Sequence, residues 1–167
     1  LQAELAEVRR SPQDQGRLKM IVIRPALNER AVLTECLLSA QWGVHGDFWA
    51  TNCWSKLPDG SPNPDVQVTL MNSRFIDFIA GERSRWPLAG DQLYVDLDLS
   101  AENLPPGQRL AVGEAILEIT AVPHTGCGLF VERFGAAAAQ FVNSPEGKQL
   151  HLRGIYARVV QDGWVKT

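Results

Sequence analysis

A mainly β fold with short helices, barrel-like and of α+β character, is predicted by three observations. Many short strand-like runs recur along the chain and end in Gly, Pro or Asp-Gly turns. Helical periodicity is confined to brief stretches between them. The 167 residues, 45% hydrophobic and 21% charged, have the composition of an ordinary globular domain. That length suffices for one domain over 1–167 with a real core, here residues 19–167, preceded by a helical extension over 1–18.

Residues 1–10 place Leu1, Leu5 and Val8 on one helical stripe, and Ser-Pro-Gln-Asp-Gln-Gly at 11–16 breaks it as a loop. Lys-Met-Ile-Val-Ile-Arg at 19–24 reads as a strand stopped by Pro25. Residues 31–40 fit helix and strand alike. Residues 41–47 are turn-rich, with Gly43 and Gly46 followed by Asp47. Pro, Gly, Asn and Asp crowd 57–65, an exposed loop. A strand over 66–70 leads to a helix over 72–80, capped by Asn72 or Ser73, with Phe75, Ile76 and Ile79 on one face. After Gly90-Asp91, Leu93, Val95, Leu97 and Leu99 alternate with Tyr94, Asp96 and Asp98, the pattern of a half-buried strand. Pro105-Pro106-Gly107 is a turn, and strands over 109–112 and 115–122 flank Gly113-Glu114. A helix capped by Thr125 carries Leu129, Phe130, Val131 and Phe134, and Gly135 closes it. Residues 136–142 are helical to near Pro145. A strand over 151–160 ends at the Asp162-Gly163 turn.

Net charge is −3 without a basic block, which disfavours nucleic acid and anionic membrane surfaces as partners. No apolar run nears the roughly 20 residues that span a bilayer, and no secretory core is visible. The three cysteines, Cys36, Cys53 and Cys127, are odd in number and widely spaced. They suggest a reducing cytoplasm, with a Cys36–Cys53 bridge as the lesser alternative. The chain starts at Leu1, not Met, and stops at Lys166-Thr167, so both native termini are expected to lie beyond it. Nucleophile elbow, phosphate loop and dinucleotide fingerprint are missing, as are flavin, haem and iron–sulfur signatures.

Chemistry concentrates in Val122-Pro123-His124-Thr125-Gly126-Cys127. A cysteine in the first helical turn faces unpaired N–H groups and the positive dipole end, which favour thiolate. A thiolate can attack, carry sulfur or ligate a soft metal. The competing reading makes Cys127 a small buried hydrophobe on a stripe with Phe130, Val131 and Phe134. His124 suits a thiolate-stabilising imidazolium, a proton donor, or a structural hydrogen bond. With His45 and Cys53 the pair could begin a zinc site, although zinc motifs usually show two tight ligand pairs. Gly43–Asp47 suits either a loop in which Asp47 binds a ligand amine, or a plain Asp-capped turn. Trp49 and Trp54 suit stacking on a heterocycle, or core and rim.

Three segments, in order, resemble a MOSC domain, the module named for the C-terminal part of molybdenum-cofactor sulfurases. The first is Gly43-Val44-His45-Gly46-Asp47-Phe48-Trp49. The second runs from Gly90-Asp91-Gln92-Leu93 through Leu110-Ala111-Val112-Gly113 and Leu117-Glu118-Ile119-Thr120 to Pro123-His124-Thr125-Gly126-Cys127. The third is Arg153-Gly154-Ile155-Tyr156-Ala157-Arg158-Val159 with Asp162-Gly163-Trp164-Val165. The likeness covers about residue 19 to the end and is nearest to small stand-alone bacterial members.

This resemblance implies a β-barrel-like fold with one functional cysteine, which maps onto Cys127. Family members carry sulfur or bind the molybdenum–pterin cofactor. In the cofactor branch the cysteine ligates molybdenum and N-hydroxylated substrates are reduced. Cys127 would then be the metal ligand, with His124 beside it as catalytic partner. Gly46, Asp47, Arg74, Thr125, Gly126 and Arg153 would contact the cofactor. Its phosphate makes Arg24, Arg30, Arg74 and Arg153 of interest. Arg74 begins a helix, where N–H groups also receive anions, and Arg153 belongs to the third segment. An electron-donor protein would be needed. In the alternative, Cys127 accepts a persulfide from a pyridoxal-phosphate-dependent cysteine desulfurase for metal–sulfur assembly. The chain carries neither that desulfurase domain nor the extended N-terminal barrel of larger relatives. A third reading is a structural domain with Cys127 buried.

Overall fold

The computed structural model describes residues 2–167. Ten strands are formed among them: β1 (Arg17–Ile23), β2 (Ala31–Leu33), β3 (Glu35–Ser39), β4 (Gly43–Val44), β5 (Val68–Asn72), β6 (Leu93–Asp96), β7 (Arg109–Val112), β8 (Ala115–Ile119), β9 (Ile155–Gln161) and β10 (Gly163–Lys166). Seven make a curled mixed sheet in the order β2-β1-β6-β5-β9-β8-β7, and three make a smaller sheet in the order β10-β3-β4. β5 and β6 pair in parallel; the other pairings are antiparallel. The fold is thus mainly β with short helices, as predicted, in the form of a half-barrel.

Two cores flank the large sheet. Leu38, Val44 and Val165 from the small sheet pack against Leu70, Leu93, Leu117, Ala157 and Val159 on its concave face. The opposite face is covered by helices α1 (Gln2–Arg9), α3 (Ser73–Ala80), α4 (Gly128–Phe134) and α5 (Ala136–Val142), while α2 (Trp49–Asn52) and α6 (Pro145–Gln149) are single turns. Leu5, Val8, Phe75, Ile76, Phe130 and Val142 meet Met20, Met71 and Tyr94 there. Each fully buried Leu, Ile or Phe contributes about 1.5–3 kcal/mol. Leu1, the first member of the predicted stripe, lies outside the described residues.

Several expectations shift for local reasons. β6 ends at Asp96, and its Tyr94 is fully buried rather than solvent-facing, because the helical layer covers that side. The Tyr94 hydroxyl donates to Trp86 O at 2.8 Å. Residues 31–40 resolve as β2 and β3. β5 starts later than predicted because Asn63 caps a 3-10 turn over Pro64–Val66. Asn72, rather than Ser73, caps α3, its Oδ1 accepting from Arg74 N–H (2.9 Å) and Phe75 N–H (3.0 Å). β8 ends at Ile119 and β9 begins at Ile155, since residues 151–153 form a turn with His151 at φ +50°. The 3-10 segment Arg83–Ala89 and α6 have no counterpart in the sequence pattern. After the Asp162-Gly163 turn, β10 crosses to pair with β3 in the other sheet. Among the described residues no helix is long and apolar enough to cross a membrane.

Candidate functional site

After β8 the chain leaves the sheet. Thr120 N–H still donates to Tyr156 O (3.0 Å), and residues 120–127 then run outside helix and strand. Gly126 ends the excursion: its N–H donates to Asn143 Oδ1 (2.9 Å) and its carbonyl accepts from Asn143 Nδ2 (3.2 Å). Cys127, not Thr125, then occupies the N-cap position of α4, without a side-chain capping bond. Its side chain is exposed. Of the stripe expected to bury it, Phe130 enters the core whereas Val131 is exposed. The exposure of Cys127 overturns the reading that made it a small buried hydrophobe.

Cys127 borders a cavity of about 400 Å³ whose wall carries Arg24, Arg30, Arg133 and Arg153, with His124, Trp54 and Tyr156. Among the described residues no carboxylate lines it. Two lie behind it. Asp47 grips Arg24 from below, Oδ1 to Nε at 2.9 Å and Oδ2 to Nη2 at 2.8 Å. Asp91 Oδ2 accepts from Arg153 Nη1 at 2.6 Å, and Arg153 Nη2 donates to Ala89 O at 2.8 Å. Arg30 and Arg133 find backbone carbonyls instead, Arg30 at Pro87 O and Glu29 O, Arg133 at Leu88 O. Four guanidinium groups against two carboxylates leave the cavity with a positive excess, in a chain of net charge −3. Burial, then the Arg133 and Arg24 charges, lower the Arg30 pKa below its ordinary value. An anion held between these groups would relieve that repulsion.

His124 stands on the same wall. Its ring packs on Tyr156 with centroids 4.6 Å apart. Nδ1 turns inward to 3.7 Å from Asp91 Oδ1. Burial first, then Arg153 and Arg24, push its pKa well below the ordinary value, so the ring is neutral at neutral pH. The cationic wall and the loss of water both oppose the second proton that the imidazolium role expected for His124 requires. Burial raises the Asp91 pKa, and Arg153 opposes the rise.

The structure brings Cys127, His124, Arg153, Arg24, Arg30, Trp49 and Trp54 together around one cavity. Thr125 instead borders an adjoining cavity of about 320 Å³, which shares His124, Arg153 and Tyr156 with the first. Gly126 is tied to Asn143, as described. Asp47 does not reach the cavity with a free oxygen: beyond Arg24 it accepts from Trp49 N–H (3.2 Å) and Gln92 Nε2 (3.1 Å). Gly46, at φ +90°, makes the turn that delivers Asp47, and a Cβ there would lie 2.9 Å from Ile23 Cδ1. Arg74 is not part of the site. It pairs with Asp96 at 2.8 Å and lies near Glu7, on the helical side of the sheet.

The zinc and disulfide alternatives fail on geometry. Among the described residues no three His, Cys, Asp or Glu side chains converge. His45 Nε2 bonds Ser39 Oγ at 2.8 Å, and the Cys36 thiol donates to His45 O at 3.3 Å. All three cysteines are free. Two lining residues, Arg133 and Tyr156, were not singled out from sequence. Arg133 sits on the helix that Cys127 caps, and Tyr156 lies in the third motif segment, so adjacency to the motifs was the available signal.

No protein-family model and no curated protein matches the chain. Among solved structures its fold is similar to that of YuaD from Bacillus subtilis, at 16% identity and a TM-score of 0.59, over 91% of this chain and 91% of that one. It is also similar to YiiM from Escherichia coli, at 18% identity and 0.56, over 90% of this chain and 65% of that one. YiiM from Geobacillus stearothermophilus aligns at 14% identity and 0.53, over 90% and 71%. At these identities the likeness is one of fold.

Proposed function

We propose that this chain is a MOSC-type protein that holds a molybdenum–pterin cofactor in the arginine-lined cavity and reduces N-hydroxylated compounds. The carrying observation is the exposed Cys127 thiol at the edge of a cavity with four arginines and no carboxylate in its wall among the described residues. The fold likeness to YuaD and YiiM agrees with the motif resemblance. The donor set fits such a group: a thiolate suits a soft metal, and Arg30 and Arg133 suit a phosphate. The exposed Trp54 indole, 73% accessible, offers a face for a flat heterocycle. A cavity of about 400 Å³ lies within the usual range for small-molecule sites.

When bound, the metal would supply two-electron redox chemistry at the thiolate. The net reaction converts an N-hydroxyl compound, two electrons and two protons into the amine and water. Electrons would come from a reduced flavin or iron–sulfur protein. The chain's own residues have separate tasks. Cys127 would ligate through Sγ. Arg30 and Arg133 would orient the anionic part. Neutral His124 would accept a hydrogen bond. Anaerobic purification from cells making the cofactor, followed by metal and pterin analysis, tests this reading. Stoichiometric molybdenum and pterin that disappear in Cys127→Ser support it. Protein from such cells that never contains molybdenum sinks it.

The exposure of Cys127 also supports a second reading, sulfur carriage. A desulfurase persulfide would pass its outer sulfur to the Cys127 thiolate, leaving the donor as a thiolate. Incubation with a cysteine desulfurase and cysteine should then add the mass of one sulfur to Cys127. No adduct under those conditions would exclude it.

A further inference from the structure

Three buried polar atoms meet under the cavity without a hydrogen-bond partner among the described residues: Asp91 Oδ1, His124 Nδ1 and Arg153 Nε. The Asp91 side chain is 0% exposed and that of His124 11%. Arg153 occupies Asp91 Oδ2, so Oδ1 is the oxygen turned toward the imidazole. Gly154 permits this approach. It sits at φ +113°, and a Cβ there would lie 2.6 Å from Leu70 O, 3.1 Å from Asp91 Oδ1 and 3.3 Å from His124 Nδ1. Tyr156 packs against the ring. With Nδ1 facing inward, Nε2 is the nitrogen left to the cavity.

We infer that Asp91 is a positioning residue: it holds His124 as the Nδ1–H tautomer, so that the cavity meets a bare, hydrogen-bond-accepting Nε2. A neutral imidazole carries one N–H and one lone pair, and the group facing one nitrogen decides which is where. A carboxylate oxygen opposite Nδ1 attracts an N–H and repels a lone pair. At 3.7 Å this is an electrostatic preference, not a formed hydrogen bond. It is strong because the surroundings are dry. Protonation of Asp91 would reverse it, since Oδ1–H would donate to Nδ1. The Arg153 guanidinium at 2.6 Å from Oδ2 favours the carboxylate and opposes the rise in pKa that burial causes. Other ionisable neighbours are Tyr94 from β6, Tyr156 from β9, Arg24 after β1 and, around the same cavity, Arg30, Arg133 and Cys127.

The consequence concerns ligand choice. The group that meets Nε2 must donate an N–H or O–H, which an N-hydroxyl compound provides. That consequence rests on the function proposed above; the tautomer does not, and is read in protein without cofactor. Long-range 1H–15N correlation spectra of histidine-labelled protein at neutral pH separate protonated from bare ring nitrogens, and His124→Gln identifies the signal. We expect Nδ1 protonated and Nε2 bare in the wild type. Free histidine side chains favour Nε2–H, so Asp91→Asn should shift His124 toward that form. If loss of the Arg153 partner unfolds that variant, Asp91→Leu combined with Arg153→Met removes both charges and should give the same shift. An Nε2–H ring or a doubly protonated ring in the wild type overturns the assignment. So does an unchanged tautomer in either folded variant.

Discussion

Asp47 and Asp91 are both buried carboxylates that carry an arginine into the same cavity, yet they are satisfied differently. Asp47 accepts from Arg24 N–H, Nε and Nη2, from Trp49 N–H and from Gln92 Nε2. Every lone-pair direction is used, and the turn after β4 is fastened to the end of β1. Asp91 spends one oxygen on Arg153, while Oδ1 has no partner of full hydrogen-bond geometry and faces His124, although the Thr69 side chain also acts on this carboxylate. In a dry interior an unmet acceptor acts on whatever faces it. The complete network fixes the scaffold, whereas the incomplete one acts on a neighbour's protons. Resemblance to a motif does not separate the two roles; counting donors does.

The largest predicted effect comes from breaking the complete network. Asp47→Ala leaves five donors without their acceptor, three of them on Arg24, whose side chain is only 21% exposed. Removing one partner of such a buried pair costs about 3–5 kcal/mol. Urea unfolding measures it, and a loss below about 1 kcal/mol would show that Asp47 is no fastening. Next come Arg30→Ala and Arg133→Ala, whose guanidinium groups bond only carbonyls among the described residues. Each should weaken anion binding by about 1.5–3 kcal/mol, the size of a charge-assisted hydrogen bond. Calorimetry with inorganic phosphate reads this directly, and unchanged affinity in both variants would mean the excess charge holds no anion.

The third effect is a pH slope. The His124 pKa is lower in the folded protein than in the unfolded chain. Its contribution to stability is therefore present above about pH 6.5 and is lost as pH falls toward the folded value. In that window the wild type should lose up to about 1.4 kcal/mol per pH unit that His124→Gln keeps. Parallel stability profiles for the two proteins would contradict the burial of a neutral ring. Asp91 has the opposite sign. Its raised pKa means stability present below the ordinary carboxylate range and lost as pH rises through the folded value.

Most of the long strands and the helix start beside the thiol were readable from sequence because they depend on local pattern. Two-residue alternation marked β6, the apolar run stopped by Pro25 marked β1, the Gly113-Glu114 turn marked the β7–β8 pair, and Asn72 announced α3. What the chain does at a distance was not readable. β10 leaves β9 to pair with β3, and no local signal encodes that partner. Tyr94 looks solvent-facing in the alternation, since nothing nearby foretells the helices that cover it. At the site, Cys127, His124 and Arg153 stood out through motifs. Arg74 stood out equally, as a helix-start arginine, but Asp96 and Glu7 hold it elsewhere. Asp91 and Arg133 gained their roles only when 62 residues of separation closed between Asp91 and Arg153 and α4 turned Arg133 inward.

The smallest effect belongs to the residue with the largest proposed role. Cys127→Ser alters an exposed side chain that makes no capping bond, so no core contact is lost. Exposed substitutions of this kind stay within about 0.5 kcal/mol. Serine is moreover a favoured N-cap, and its hydroxyl can accept from the first turn of α4, adding up to about 1 kcal/mol. The variant should match or slightly exceed the wild type in urea. Alkylation supplies the counterpart: Cys127 should react in the native protein, while buried Cys36 and Cys53 react only on unfolding. A destabilisation above 1 kcal/mol would mean that Cys127 supports the fold after all. With stability intact, any molybdenum or sulfur lost with the thiol is chemistry removed from the cavity edge, while the networks of Asp47 and Asp91 stay in place.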